Sequence, residues 1–255
     1  MANELAGQVA VVTGASGGLG AHFARVLAGH GAAVAVCARR LELVEALAEE
    51  LRATGARAMA LRLDVAEAEA IGPALDSVEA QLGPVSIMVN NAGVGGEGLA
   101  LDISVEAWDQ TFAVNVRGVF FGAREAARRM IASGVAARGD ARIINIASIH
   151  SFEPKAGLAA YCSSKAAVAM MTKTLAREWA RPNIAVNAIC PGYIETDINS
   201  DWFKSEGGQK QLKGFPRRRL AEMEDLNASL LMLAGPGARR ITGTLITIDD
   251  GQSLA

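Results

Sequence analysis

Seven short runs of apolar and β-branched residues, each separated from the next by a longer stretch, constrain this 255-residue chain more than any other feature. They read "QVAVVTG" (8–14), "AVAVCA" (33–38), "ARAMALRLDV" (56–65), "VSIMVNNAG" (85–93), "ARIINIAS" (141–148), "IAVNAICPG" (184–192) and "TLITIDDG" (244–251). Most are continuously apolar rather than alternating, as parallel strands covered on both faces are. The stretches between them, such as "LELVEALAEELRA" (41–53) and "AEAIGPALDSVEAQL" (68–82), read as amphipathic helices. The alternation predicts a doubly wound α/β fold, a seven-stranded parallel sheet flanked by helices with right-handed crossovers. No linker, repeat or low-complexity stretch breaks it, so residues 1–255 are expected to form one domain. With 51% apolar and 20% charged residues, the chain has ample material for the core such a sheet needs.

Charge and cysteine usage narrow the function classes. A net charge of −2 gives no global pull toward nucleic acid or a membrane surface. Cys37, Cys162 and Cys190 are too scattered for a disulfide framework or a zinc site and suit a reducing compartment. His22 and His30 have no companions at metal-ligand spacing. The first residues lack a basic, apolar leader and no run is long enough to span a bilayer, so a cytoplasmic protein is expected. Residues 193–220 depart from the rhythm, mixing Gly, Asp, Trp and Phe without a long period. An insertion after a strand's carboxyl end falls where ligands bind in open sheets, and is expected to be a binding loop or lid.

The first strand runs into "TGASGGLG", with Gly14, Gly18 and Gly20 between a strand and a helix. Glycines there let the backbone approach a phosphate, and the helix start adds its positive end. Ser16 and Leu19 belong to the same turn. A nucleotide site is the expectation, and the end of the second strand selects the nucleotide. Where an acid would hold a ribose 2′-hydroxyl, the chain has Ala38 followed by Arg39 and Arg40. Two guanidiniums favour a 2′-phosphate, hence NADP(H) over NAD(H), although both arginines could simply begin a solvated helix. Asp64 and Val65 close the third strand, and Asn91, Ala92 and Gly93 close the fourth, where a flat cofactor could lie.

The fifth strand delivers Ser148 to the same edge, thirteen residues before Tyr161, and Lys165 follows four residues later. On a helix, Tyr161 and Lys165 share one side. An ammonium beside a phenol favours the phenolate, so the Tyr161 pKa is expected below its usual 10. Ser148 could then hold a substrate oxygen while Tyr161 gives or takes a proton.

These motifs resemble the short-chain dehydrogenase/reductase superfamily from Gln8 to Gly251: "TGASGGLG" (13–20), "NNAG" (90–93), Asn115 in "FAVNVRG", Ser148, "YCSSK" (161–165) and "PGYIET" (191–196). The resemblance implies a Rossmann-like fold and a catalytic tetrad of Asn115, Ser148, Tyr161 and Lys165. Tyr161 would be the general acid/base and Ser148 the group that positions the carbonyl or hydroxyl. Lys165 would bind the nicotinamide ribose and lower the Tyr161 pKa, and Asn115 would anchor a water in a proton relay. Pro191, Gly192, Ile194 and Thr196 would meet the nicotinamide. A homotetramer, or a dimer, would pack through the helices carrying Asn115 and Tyr161. Asp250 stands where the family often has glycine, which puts the local turn in question. The implied activity interconverts a secondary alcohol and a ketone, or a 3-oxoacyl-type carbonyl, with NADP(H) preferred. An oxidative NAD-dependent enzyme and a non-catalytic nucleotide sensor are the alternatives. His150, Tyr193 and Trp202, with Phe152 and Phe203, suggest a substrate pocket with apolar walls, a poor fit for sugars. The arginines of 117–142 and 217–219 read as solvated faces or subunit contacts, without the interleaved aromatics of a nucleic-acid surface.

Overall fold

A computed structural model of the chain describes residues 3–96, 98–195 and 200–254. Seven strands form one sheet: β1 (Val9–Thr13), β2 (Ala33–Ala38), β3 (Ala58–Arg62), β4 (Ile87–Asn90), β5 (Arg142–Ile146), β6 (Ala185–Pro191) and β7 (Leu245–Ile248). Every neighbouring pair is parallel, in the order β3-β2-β1-β4-β5-β6-β7. The helices are α1 (Gly18–Gly29), α2 (Leu41–Ala53), α3 (Ala68–Leu82), α4 (Val105–Phe112), α5 (Val119–Ala132), α6 (Ala159–Glu178), α7 (Ser200–Lys204), α8 (Glu206–Gly214) and α9 (Asn227–Ala234). The expected single-domain doubly wound architecture is the observed one.

The apolar runs are continuous because both faces of the sheet are covered. Successive side chains of a strand point to opposite faces. Val12, Val34 and Val36 therefore pack under Phe23 and Leu27 of α1, Val44 of α2 and Leu230 of α9. Val11, Ala35 and Cys37 pack against Ile71 and Leu75 of α3 and Met130 of α5. Strand order reverses between β1 and β4, which leaves a crevice at their carboxyl ends.

Two segments differ from the sequence expectation. Between α4 and α5 the chain makes a π-helical turn, Ala113–Gly118, with Val114, Asn115 and Gly118 buried. Such turns are rare and cluster at functional sites. The irregular insertion at 193–220 is also more ordered than its lack of period suggested. It carries α7 and α8, and Ser205 caps α8 by accepting from the Gly208 N–H at 3.1 Å. No described helix is long and apolar enough to cross a membrane.

Candidate active site

The carboxyl edges of β1 and β4 are clamped together by Thr13, which the motif reading passed over. Its hydroxyl accepts from the Asn91 and Ala92 N–H groups, both at 3.1 Å, while Asn91 Nδ2 returns to the Thr13 carbonyl at 2.9 Å. Asn91 thus holds the turn with its side chain. A Cβ on Gly20 would strike the Gly14 carbonyl and lie 2.6 Å from Asn91 Nδ2, so close packing forces glycine there. Gly18 has φ +51° and open space where its Cβ would be. Helix α1 starts at Gly18 with no side-chain cap and no acid in its first turn, leaving its N–H groups available to an anion. Beside it, Arg40 Nη2 donates to Ser16 Oγ at 3.1 Å, bringing a guanidinium to the mouth of the turn. Arg39 is exposed next to it. These residues fit a phosphorylated dinucleotide.

Asp64 Oδ1 accepts from the Ala66 N–H at 3.0 Å, which shapes the end of β3 and leaves Val65 buried. At β6, the Gly192 N–H bonds Ile248 and a Cβ on Gly192 would lie 2.7 Å from Asp249 Cβ. Pro191 and Ile194 are buried along the same edge, with Ile194 bridging to Ala221. Thr196 lies outside the described residues.

Ser148, Tyr161, Lys165 and Asn115 converge one strand further along. Ser148 is buried at the end of β5 with its hydroxyl near the Tyr161 phenol, and its Oγ accepts from the His150 N–H at 3.1 Å. Lys165 Nζ sits 5.6 Å from the Tyr161 ring centroid and donates to the Ile146 carbonyl at 2.8 Å. A Cβ on Gly93 would lie 3.5 Å from Asn115 Oδ1 and 3.6 Å from Lys165 Nζ, so the glycine lets the β4 end pass close to both.

The expected effect of Lys165 on Tyr161 is corrected by these contacts. Burial holds the Tyr161 pKa above its usual value, and the nearby Ser148 hydroxyl only opposes that. Lys165 is itself buried, which brings its pKa down to about 8, and its ammonium is turned toward Ile146. Desolvation thus outweighs the charge pairing that the i, i+4 spacing suggested.

The Asn115 side chain is engaged by protein groups. Its Oδ1 accepts from the Val94 N–H at 2.8 Å, and its Nδ2 donates to the Val94 carbonyl at 2.9 Å and to Ser164 Oγ at 3.0 Å. Ser164 donates in turn to the Tyr161 carbonyl at 2.7 Å. Both amide protons are spent on protein, so the side chain ties the π turn to β4 and α6. Asn115→Ala, which strips two Val94 main-chain groups of their partner, is expected to cost about 2 kcal/mol in urea denaturation. A loss below 0.5 kcal/mol, on the order of a surface substitution, would contradict that bracing role.

The substrate side is more polar than the sequence suggested. His150 Nε2 lies 2.9 Å from the Tyr193 hydroxyl, and the two rings meet edge-on with centroids 5.4 Å apart. Phe152 is half exposed. Trp202 is half exposed too, and its indole N–H is spent on Gln211 Oε1 at 3.1 Å. The sequence reading also missed Gln252, which is buried and brackets the Tyr193 backbone. Its Oε1 accepts from the Tyr193 N–H at 2.6 Å and its Nε2 donates to the Tyr193 carbonyl at 3.3 Å. Asp250 takes φ +53°, the left-handed conformation that explains a preference for glycine there. It is held in that turn by Arg217 at 3.1 Å and Arg219 at 2.7 Å.

Residues 8–207 match the family profile described as "short chain dehydrogenase". The 2,3-dihydro-2,3-dihydroxybenzoate dehydrogenase of Bacillus subtilis (strain 168) is 35% identical over 99% of this chain and 98% of its own length. Gluconate 5-dehydrogenase of Gluconobacter oxydans (strain 621H) is 32% identical over 99% of this chain and 97% of its own. Among solved structures, a gluconate 5-dehydrogenase from Burkholderia cenocepacia J2315 in complex with NADP and tartrate superposes with a TM-score of 0.92. It is 34% identical and the match covers 98% of this chain and 97% of that one. A glycine-rich turn at the sheet's switch point, and Tyr161 beside the buried Ser148 and Lys165, thus occur in a chain that matches these dehydrogenases from end to end. The chain belongs to the short chain dehydrogenase family, whose members interconvert alcohols and ketones.

Proposed function

We propose that the chain is an NADP(H)-preferring oxidoreductase that interconverts a secondary alcohol and a ketone, with Tyr161 as general acid/base. The observation that carries this reading is the convergence of Tyr161 with the buried Ser148 and Lys165, the Lys165 ammonium lying beside Gly93. When bound, the dinucleotide supplies or accepts the hydride. Ser148 Oγ holds the substrate oxygen. Tyr161 gives that oxygen a proton in reduction and takes one in oxidation. Lys165 places a positive charge under the phenol ring and favours its ionised form whenever it is itself protonated. Asn115 fixes the π turn, and any water it anchors is held by its main chain. Gly14, Ser16, Gly18, Leu19 and Gly20 would hold the phosphates of the dinucleotide, and Asp64, Val65, Asn91, Ala92, Gly93, Pro191, Gly192 and Ile194 would hold the rest of it, with α7 and α8 as the lid.

The preference for NADP(H) is supported by the contact between Arg40 and Ser16 and by the neutral Ala38 at the end of β2. Arg40→Ala is expected to weaken NADPH binding about 10- to 100-fold with NADH affinity changed less than about twofold, read by nicotinamide fluorescence. Tighter NADH binding by the unaltered protein would instead favour an NAD-dependent enzyme working oxidatively.

Assembly through the faces near Asn115 and Tyr161 is part of the same reading. Val105 and Trp108 of α4, Phe120 of α5 and Met170 of α6 are exposed apolar residues on those helices. Light scattering of the eluting protein should give a dimer or tetramer, and a monomer would remove this element of the proposal.

A further inference from the structure

His150 and Tyr193 share a hydrogen bond whose direction is fixed by the backbone of Glu153. His150 Nδ1 lies 2.9 Å from the Glu153 carbonyl oxygen. A carbonyl only accepts, so Nδ1 carries the proton. Burial lowers the His150 pKa from its usual 6.5, so near neutral pH the ring is uncharged and Nε2 is bare. Tyr193 must therefore donate its hydroxyl proton to Nε2. Gln211 lies near the Tyr193 hydroxyl and acts on it as a neighbouring donor, its Oε1 being taken by the Trp202 indole N–H at 3.1 Å.

A phenol oxygen has one proton and two lone pairs. The proton goes to His150, which leaves the oxygen as an acceptor. The Tyr193 ring cannot swing away, because it stacks on Phe215 at 5.5 Å, meets Phe203 edge-on at 5.7 Å and has its backbone bracketed by Gln252. The oxygen also faces the reacting region. His150 packs edge-on against Tyr161 with centroids 6.2 Å apart, and the Tyr193 hydroxyl is near enough to act electrostatically on the Tyr161 phenol.

We propose that Tyr193 Oη is an acceptor subsite for a hydroxyl on the carbon next to the reacting one, so that vicinal diols and their α-hydroxy ketones are the preferred substrate class. This rests on the alcohol–ketone reading of Ser148 and Tyr161. An acceptor without a proton to offer rewards a neighbouring hydroxyl and turns away a carboxylate or second carbonyl, which have no proton to give. Gln252 is a positioning residue for it.

The test compares cis-1,2-cyclohexanediol with cyclohexanol as probes, using unaltered protein and Tyr193→Phe with saturating dinucleotide. The unaltered protein should show kcat/KM at least about tenfold higher for the diol, and Tyr193→Phe should bring the ratio within about threefold of one. A ratio taken on one preparation is insensitive to partial misfolding. A ratio near one in the unaltered protein, or one that Tyr193→Phe does not move, overturns the subsite. A second readout needs no turnover: diol binding to the protein–NADPH or protein–NADH complex, followed by nicotinamide fluorescence, should weaken at least about tenfold in Tyr193→Phe. Diol binding that depends on Tyr193 without turnover of either alcohol sinks the alcohol–ketone reading and supports the subsite. Diol binding unaltered by the substitution, or absent from both proteins, overturns the subsite whatever the turnover.

Discussion

Tyr161→Phe is expected to lower kcat/KM in both directions by about 10³-fold while dinucleotide affinity stays within about threefold of the unaltered protein. The substitution removes one oxygen and keeps the ring that packs against His150 and lies over Lys165. Steady-state kinetics and a fluorescence titration on the same sample separate the two effects. The pH profile adds a second signature. Burial holds the phenol above its ordinary pKa, so at neutral pH Tyr161 carries the proton that reduction needs. Alcohol oxidation needs the phenolate and should climb with pH through the alkaline range, whereas reduction should fall there. In Tyr161→Phe both slopes should vanish. Rates within tenfold of the unaltered protein would remove Tyr161 from the proton transfer.

Lys165→Met should abolish most activity, by about 100-fold or more, yet raise stability at pH 7. Lys165 is buried, with its pKa pulled down to about 8 from 10.5. Between those values the unfolded chain binds more protons than the folded one, so stability rises with pH across that window. The penalty for burying the charge is fully present below pH 8 and relieved toward pH 10.5. A displacement of that size corresponds to about 3 kcal/mol. Methionine keeps the aliphatic stem and gives up the bond to the Ile146 carbonyl, worth about 1 kcal/mol. The variant should therefore be about 2 kcal/mol more stable at pH 7, an advantage that shrinks as pH approaches 9. Cys190, whose thiol burial pushes up to about 11, feels the Lys165 charge but keeps its proton in the folded protein at both pH 7 and pH 9. Urea denaturation of both proteins at pH 7 and pH 9 measures that advantage. A variant less stable at pH 7 would mean that the ammonium is well solvated by its surroundings and carries no such penalty.

The fold was legible because both sheet faces are buried. Continuous runs such as "AVAVCA" have no other comfortable place, and the helices at 41–53 and 68–82 match α2 and α3 residue for residue. The runs that overshot, such as "VSIMVNNAG" beyond Asn90, did so where small polar residues leave the ladder to shape the crevice. Placement of Ser148, Tyr161 and Lys165 at one edge could be read because strand ends and one helical turn fix it. Electrostatics could not. Spacing shows that Lys165 lies near Tyr161, but the sign of the phenol's displacement depends on how much water is excluded from both. Contacts across long separations were equally hidden. Tyr193 and Gln252 are 59 positions apart, and nothing local in either segment points to the other. The π turn is invisible for a related reason, since "AVNVRG" is as compatible with an α-helix and is held open by Asn115 reaching Val94.

The reversal of strand order between β1 and β4 divides the recognition task in two. Arg39 and Arg40 stand at the end of β2, on one side of the reversal, while Ser148, His150 and Tyr193 stand beyond β5 and β6, on the other. The two groups share no hydrogen bond or ring contact among the described residues. Free-energy changes at such separated sites add. An engineer could therefore retune cofactor choice at β2 and alcohol choice at Tyr193 in separate libraries and combine the winners, with each change keeping its own effect in the other's background.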